Sequence, residues 1–373
     1  MRKVLVVGVW LMVVSLALGA WVTKRLTNNA GDTRFPSVAV NGANVYVLWQ
    51  DDNPGNKEIF FKQSADNGAN WQASKRLTSN TGESLHPDIA LSGANIFAVW
   101  DDDSPGNREI YLKRSTDGGA TWGSNKRLTN NAGESSYPEI AVSGSNVYMI
   151  YGDNTQGNYD VYFRRSVNGG VNWQAAQKLT STPAKISGKE IAASGDNVYV
   201  TWCDAAPGNY EIYFKRSLDG GVSWEDTKRI TYNAGNSGDP AIAVSGTNVY
   251  LVWEDDTPGV FEIYFRKSIN DGVNWQAVQR LTDNIVEDCL PQIAVSGLNV
   301  CVAMAEAGSG GVTEIYFKKS LDGGDTWLDV ERLTTNGGYS DCPAIAIKST
   351  KAFVAWHDDT PGNYDVYLAY EPL

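Results

Sequence analysis

The stretch KRLTNNAGDTRFPSVAVNGANVYVLWQDDNPGNKEIFFKQSADNGANW (Lys24–Trp71) is one complete copy of a unit that returns about every 51 residues. It opens on a short Lys-Arg-Leu-Thr segment and runs through three apolar stretches, one after Pro36, then Asn44–Asp52 and Lys57–Ser64, before closing on an eight-residue turn. The opening segment recurs at Lys75–Thr78, Lys126–Thr129, Gln177–Thr180, Lys228–Thr231, Gln279–Thr282 and Glu331–Thr334, which makes seven starts. The eight-residue turn is present six times and is missing only where the chain ends. The first opening segment therefore precedes every three-strand set, and the last set lacks one of its own. If Lys24–Thr27 pairs with the final set (Pro343–Tyr370), every sheet has four strands and the two termini are joined. Sheets that share strands across the ends of the chain close a ring, so the repeat predicts an all-β, seven-bladed β-propeller of four-stranded antiparallel blades.

The strand pattern agrees. In Asn44–Asp52, Val45, Val47 and Trp49 alternate with Tyr46 and Leu48, so both faces are apolar. A sheet covered by neighbours on each side requires this. The same two-sided pattern recurs at Asn95–Trp100, Asn197–Trp202 and Asn248–Trp253, whereas Tyr151 and Met304 stand where the other copies have Trp. An unbroken repeat makes residues 21–373 a single domain.

Residues 1–20 differ. Arg2 and Lys3 precede an apolar run from Val4 to Leu18, and Ala17, Gly19 and Ala20 supply small residues for cleavage, which reads as a secretory signal. The run is short for a membrane span, so the expected product is a secreted or cell-surface protein without a span once the signal is removed. That removal takes the net charge from −12 to −14, a balance that argues against nucleic acid as a partner. The four cysteines are too few for a disulfide scaffold, but Cys289 and Cys342 stand at nearly equivalent places in neighbouring blades, where a bridge is geometrically open.

The turns read SADNGANW (Ser64–Trp71), STDGGATW (Ser115–Trp122), SVNGGVNW (Ser166–Trp173), SLDGGVSW (Ser217–Trp224), SINDGVNW (Ser268–Trp275) and SLDGGDTW (Ser320–Trp327). The Asp or Asn can bond the amides of its own turn, glycine supplies positive φ, and the Trp can pin the loop to the sheet. Trp21 stands almost where a seventh turn would place its Trp. These six copies resemble the Asp-box, or bacterial neuraminidase repeat, of the sialidase superfamily. The resemblance implies a sialidase-like propeller with these turns on one face and ligands on the other. It identifies architecture more than activity, because the turn itself carries no chemistry.

On the ligand face, a residue found in every copy is expected to hold the blade and a residue found once to serve function. One acid recurs two residues past each second-strand Trp position, at Asp51, Asp102, Asp153, Asp204, Asp255, Glu306 and Asp358. Such a ring is a calcium-site alternative, since calcium takes oxygen ligands. The preferred reading is that each acid caps its own turn, with no resident metal or other cofactor. Single-copy residues before the innermost strands include Arg34, His86, Tyr137, Asp239 and Tyr339, and His357 falls near the same face. Together they form the candidate ligand-binding set.

The sialidase resemblance also suggests a catalytic set. Arg34-Phe35-Pro36 resembles the Arg-Ile-Pro motif whose arginine binds the substrate carboxylate, and Tyr339-Ser340-Asp341 resembles the surroundings of the family's nucleophilic tyrosine. Glu190 would then activate Tyr339, and a mouth carboxylate such as Asp51 would act as the acid. The departures weigh more. A sialidase clamps its substrate with three arginines, but the expected places here hold Asp51-Asp52, Cys203-Asp204 and Glu254-Asp255. The sequence thus points to a binding module for an extracellular glycan or glycoprotein, with an exo-acting glycoside hydrolase and a structural spacer as the alternatives.

Overall fold

The computed structural model describes residues 20–182, 186–307 and 311–373. The expected signal segment therefore lies, apart from Ala20, outside the described residues. Seven four-stranded antiparallel sheets make up the fold. The first runs from the inner strand Thr33–Asn41 through Asn44–Asp51 and Glu58–Ser64 to the outer strand Lys75–Arg76. The last takes Ser340–Lys348, Lys351–Asp358 and Asp365–Pro372 from the carboxyl-terminal end and its outer strand, Val22–Arg25, from the amino-terminal end. Val22 pairs with Tyr370 and Arg25 with Tyr367, so the ring closes as the truncated repeat requires. No described helix is long and apolar enough to cross a membrane.

The apolar core lies between blades rather than inside one. Val45, Tyr46, Val47, Leu48 and Trp49 are all buried, because each face of their strand meets a different neighbour. Tyr46, Leu48, Ile59, Phe61 and Leu77 pack on Ile89, Ile96, Ala98 and Trp100 of the next blade. Across the closure, Phe353, Ala355, Val366 and Leu368 of the last blade, with Leu26 just past its outer strand, pack in the same way on Val38, Val45, Val47 and Trp49 of the first.

Two polar devices repeat with the blades. An acid opening each third strand is buried and pairs with a cation of the outer strand, as in Arg76–Glu58 at 2.8 Å, Arg127–Glu109 at 2.8 Å and Arg229–Glu211 at 2.6 Å. A buried carboxylate without such a partner would cost several kcal/mol. In the last blade Arg25 reaches across the whole sequence to Asp365 in the same manner. The second device is the outer-strand threonine. Thr78 Oγ1 accepts the Ile59 N–H at 2.8 Å, and Thr27 Oγ1 accepts that of Val366 at 2.8 Å.

The eight-residue turns do more than expected. Ser64 Oγ takes the Gly68 N–H at 3.0 Å and donates to Asp66 Oδ1 at 2.7 Å, while Asp66 accepts the Asn70 N–H at 2.8 Å. The Trp, expected to pin its loop to the sheet, packs on a sheet residue of the preceding blade. Trp122 stands edge-on to Phe61 at 5.1 Å, and Trp224, Trp275 and Trp327 treat Phe163, Phe214 and Phe265 alike. Gly119 sits at the same contact with φ near 85°, where a Cβ would lie 2.6 Å from the Phe61 ring. Trp21 fills the seventh position, edge-on to Phe317 at 4.9 Å, with its indole N–H on Glu331. Replacing Trp122 with Ala is expected to lower stability by about 3 kcal/mol in denaturant unfolding, the lower end of the range for large aromatics because the ring is half-buried. Trp21→Ala should cost a similar amount; an unchanged midpoint for that variant would show that the Trp21–Phe317 contact adds nothing to the stability of the closure.

Candidate functional site

Each inner strand enters the ring through a break in register, for example between Arg34 and Ser37, Leu85 and Asp88, or Asp341 and Ala344. At every break one residue adopts the left-handed conformation: Phe35, His86, Tyr137, Gly188, Asp239, Leu290 and Cys342, with φ between 38° and 53°. Six of the seven are not glycine, and each such residue costs roughly 1–2 kcal/mol. The bulge turns the side chain out of the sheet and toward the propeller axis, a common use of a bulge beside a binding site. A side chain of the preceding blade, one residue past its second-strand aromatic, holds the left-handed N–H. Gln50 accepts from His86, Asp101 from Tyr137 and Glu254 from Leu290, each at 3.1 Å, and His357 Nδ1 accepts from Phe35 at 3.5 Å.

These seven residues line the mouth of a cavity of about 300 Å³. One arc of it is aromatic. His357 and Phe35 lie 5.7 Å apart, Phe35 and His86 5.6 Å, and His86 and Tyr137 3.9 Å, centroid to centroid. Lys189, which stands where the other copies have proline, holds its ammonium 5.8 Å from the Tyr137 ring and donates to the Tyr137 carbonyl. His86 is oriented from behind: its Nδ1 lies 2.8 Å from Asp101 Oδ1, and Arg108 donates to Asp101 Oδ2 at 2.7 Å. Asp101 is fully buried, so this ion pair fixes the ring.

The floor is acidic. Asp88 accepts from Ser37 Oγ at 2.8 Å and from the Ile140 N–H at 2.9 Å, and Glu190 accepts the Ile242 N–H at 3.0 Å. Burial raises Asp88, and burial followed by the Asp88 carboxylate pushes Glu139 well above the ordinary range. Glu190 is raised to about 8, chiefly by burial, and Glu254 near the rim to about 7 by burial and then by Asp239. Burial also lowers His357 to about 3, so its imidazole is neutral. Glu190 is thus largely protonated near neutral pH and can donate as well as accept a hydrogen bond.

The structure gathers only part of the candidate set. His86, Tyr137 and Asp239 line the cavity, with Phe35, Gly188 and Lys189 added to them, and Glu190 forms its floor. Arg34 turns away, pairing with Asp32 at 3.0 Å and lying 3.7 Å over the Tyr364 ring. Tyr339 is exposed on the rim of the last blade, its N–H on Asp359 at 2.7 Å. Asp51 is buried in its own turn, accepting from Asn53 N–H at 2.9 Å and Asn29 at 2.7 Å. No hydrogen bond or ion pair joins any two of Arg34, Tyr339, Glu190 and Asp51 among the described residues. The recurring acids cap their turns: Asp102, Asp153, Asp204, Asp255 and Asp358 accept the N–H two residues on at 2.8–3.0 Å, while Glu306 accepts from Asn284 at 3.2 Å. All four cysteines carry free thiols, so the bridge between Cys289 and Cys342 is not formed. Sequence reasoning missed Phe35 and Lys189, although Lys189 breaks an otherwise regular proline position and was the available signal.

No family model matches the chain, and no curated protein resembles it in sequence. Solved structures do share its shape. The polysaccharide lyase Uly1 superposes with a TM-score of 0.62 at 10% identity, over 90% of this chain and 89% of that one. The likeness is one of fold, a β-propeller, here of seven blades. The Hadza microbial sialidase Hz136 gives a TM-score of 0.54 at 13% identity over 89% and 74% of the two chains, and the endosialidase of phage phi92 gives 0.57 at 11% over 95% and 69%. Identities this low establish common architecture and leave the chemistry to the site itself.

The acidic floor of this propeller has a pH signature. An unfolded glutamate titrates near 4.5, whereas Glu190 titrates near 8 in the fold. Its contribution is therefore fully present below the unfolded value and is lost as pH rises through the folded one. Glu190→Gln keeps an acceptor for the Ile242 N–H and removes the charge. Its stability should lie close to that of the native protein near about pH 5 and exceed it by on the order of 4 kcal/mol near about pH 9. Urea unfolding at the two pH values measures this; a difference independent of pH would mean that Glu190 is ionised throughout.

Proposed function

We propose that the protein is a secreted binding module for extracellular glycans and that the mouth is its site, with neutral rather than acidic sugars as the preferred class. The observation that carries this reading is the arc of Phe35, His86 and Tyr137 above the Glu190 carboxyl in a cavity the size of one or two sugar rings. An aromatic face takes the apolar side of a sugar ring, and carboxyl and amide groups bond its hydroxyls. Among the described residues the cavity lining offers a sugar carboxylate one cation, Lys189, already engaged by the Tyr137 carbonyl, while Arg34 pairs with Asp32 outside it. The sialidase and polysaccharide lyase neighbours support a glycan-related role for this architecture.

An oriented imidazole favours one second reading. The Arg108–Asp101–His86 chain presents a histidine of fixed orientation to the cavity, an arrangement suited to proton transfer on a bound glycan. Screening on an array of neutral and acidic glycans tests the first reading. Binding should fall on neutral glycans, Tyr137→Ala should weaken it at least about tenfold, and Arg34→Ala should leave it nearly unchanged. Preference for sialylated glycans with loss on Arg34→Ala would overturn it, as would silence across the array. Release of reducing ends by the native protein, abolished in His86→Ala, would replace binding with catalysis.

A further inference from the structure

The mouth has a second distinctive sector in the last blade. Asp341 and His357 face each other across the inner and second strands, and Cys342 is the left-handed residue beside Asp341. One ligand atom from each of the three lies within 4.8 Å of the others. None of the three is required by the repeat: the equivalent residues of the fifth blade are Gly238, Asp239 and Glu254, and the blades fold alike. The Cys289 thiol of the sixth blade lies within electrostatic reach of both Cys342 and Asp341.

We propose that Asp341, Cys342 and His357 form a site for a thiophilic divalent cation, zinc in the first instance, open to the mouth. The donor set is one sulfur, one imidazole nitrogen and one carboxylate oxygen. Sulfur and imidazole select borderline and soft transition cations over calcium or magnesium. Zinc bonds of about 2.0–2.3 Å place neighbouring ligand atoms roughly 3.3–3.8 Å apart, so side-chain rotation closing the present spread by about an ångström completes the shell. Three protein ligands with a fourth position facing a cavity is the arrangement of zinc sites that receive an exogenous ligand. Cys342 lines that cavity, so a sugar hydroxyl or water in the mouth would reach the ion. His357 is buried, and its Nδ1 accepts the Phe35 N–H over a long 3.5 Å. The nearest cation, Arg34, is already paired with Asp32. Binding exchanges the thiol proton, released to solvent, for the metal–sulfur bond.

The ring supplies its own control substitutions. Leu290 occupies the Cys342 position in the sixth blade with the same left-handed backbone, and Gln50 occupies the His357 position in the first while holding the same kind of N–H. Cys342→Leu and His357→Gln therefore remove ligands while keeping the fold. The metal-stripped protein is titrated with cobalt(II) and then with zinc. One equivalent of cobalt should bind with a thiolate-to-metal charge-transfer band that zinc bleaches. Cys342→Leu should abolish the band, and His357→Gln should weaken binding at least about tenfold, both with native unfolding midpoints. A Cys289–Cys342 disulfide in the peptide map, absence of the band in protein whose thiols react freely, or a band that survives Cys342→Leu would each overturn the proposal.

Discussion

The pairing of Val22–Arg25 with the strand Asp365–Pro372 is the constraint on which the rest of the molecule depends. A propeller blade cannot bury both of its faces alone, so an open row of seven would leave two apolar faces in water. Closure covers them, and it uses the same contacts as every other blade junction. Arg25 reaches the buried Asp365, Thr27 receives the Val366 amide and Trp21 meets Phe317. The first residues after the expected signal therefore supply an outer strand, an ion pair and an aromatic contact to a blade whose other strands are made last.

Closure in turn fixes the mouth. Because seven inner strands converge on one axis, a single bulge repeated in each brings seven side chains to a common cavity. The backbone strain of these positions is carried by the blades around them, and the preceding blade steadies several with a hydrogen bond. Side-chain identity at the bulge is then free of any packing duty. Phe35, His86 and Tyr137 make an aromatic arc on one side, and Asp239, Leu290 and Cys342 make a polar and thiol-bearing arc on the other.

Acids do two unlike jobs in this chain. Asp51 and its counterparts accept several hydrogen bonds within their own turns, and Glu58 and its counterparts are matched by outer-strand cations. Among the described residues Asp88, Glu139 and Glu190 have no matching ring of cations, and Lys189 is the cation that acts on Glu139. Their burial raises all three, and Glu190, at about 8, holds its proton near neutral pH.

The sequence by itself determined the number of blades, the four-stranded sheets and the way the ends meet. Each rests on a pattern that is local, periodic and repeated seven times, so that one misplaced residue cannot hide it. It also separated the recurring acids from the single-copy residues. Only the tertiary structure decided which single-copy residues meet. Arg34 and His86 stand one place apart in the repeat, yet the bulge sends the left-handed His86 into the cavity and leaves Arg34 on Tyr364 and Asp32 outside it. Asp341, Cys342 and His357 come together because adjacent antiparallel strands place residues sixteen apart face to face. Convergence on an axis and the direction of a side chain at a bulge are properties of the closed ring, and no single copy of the repeat contains them.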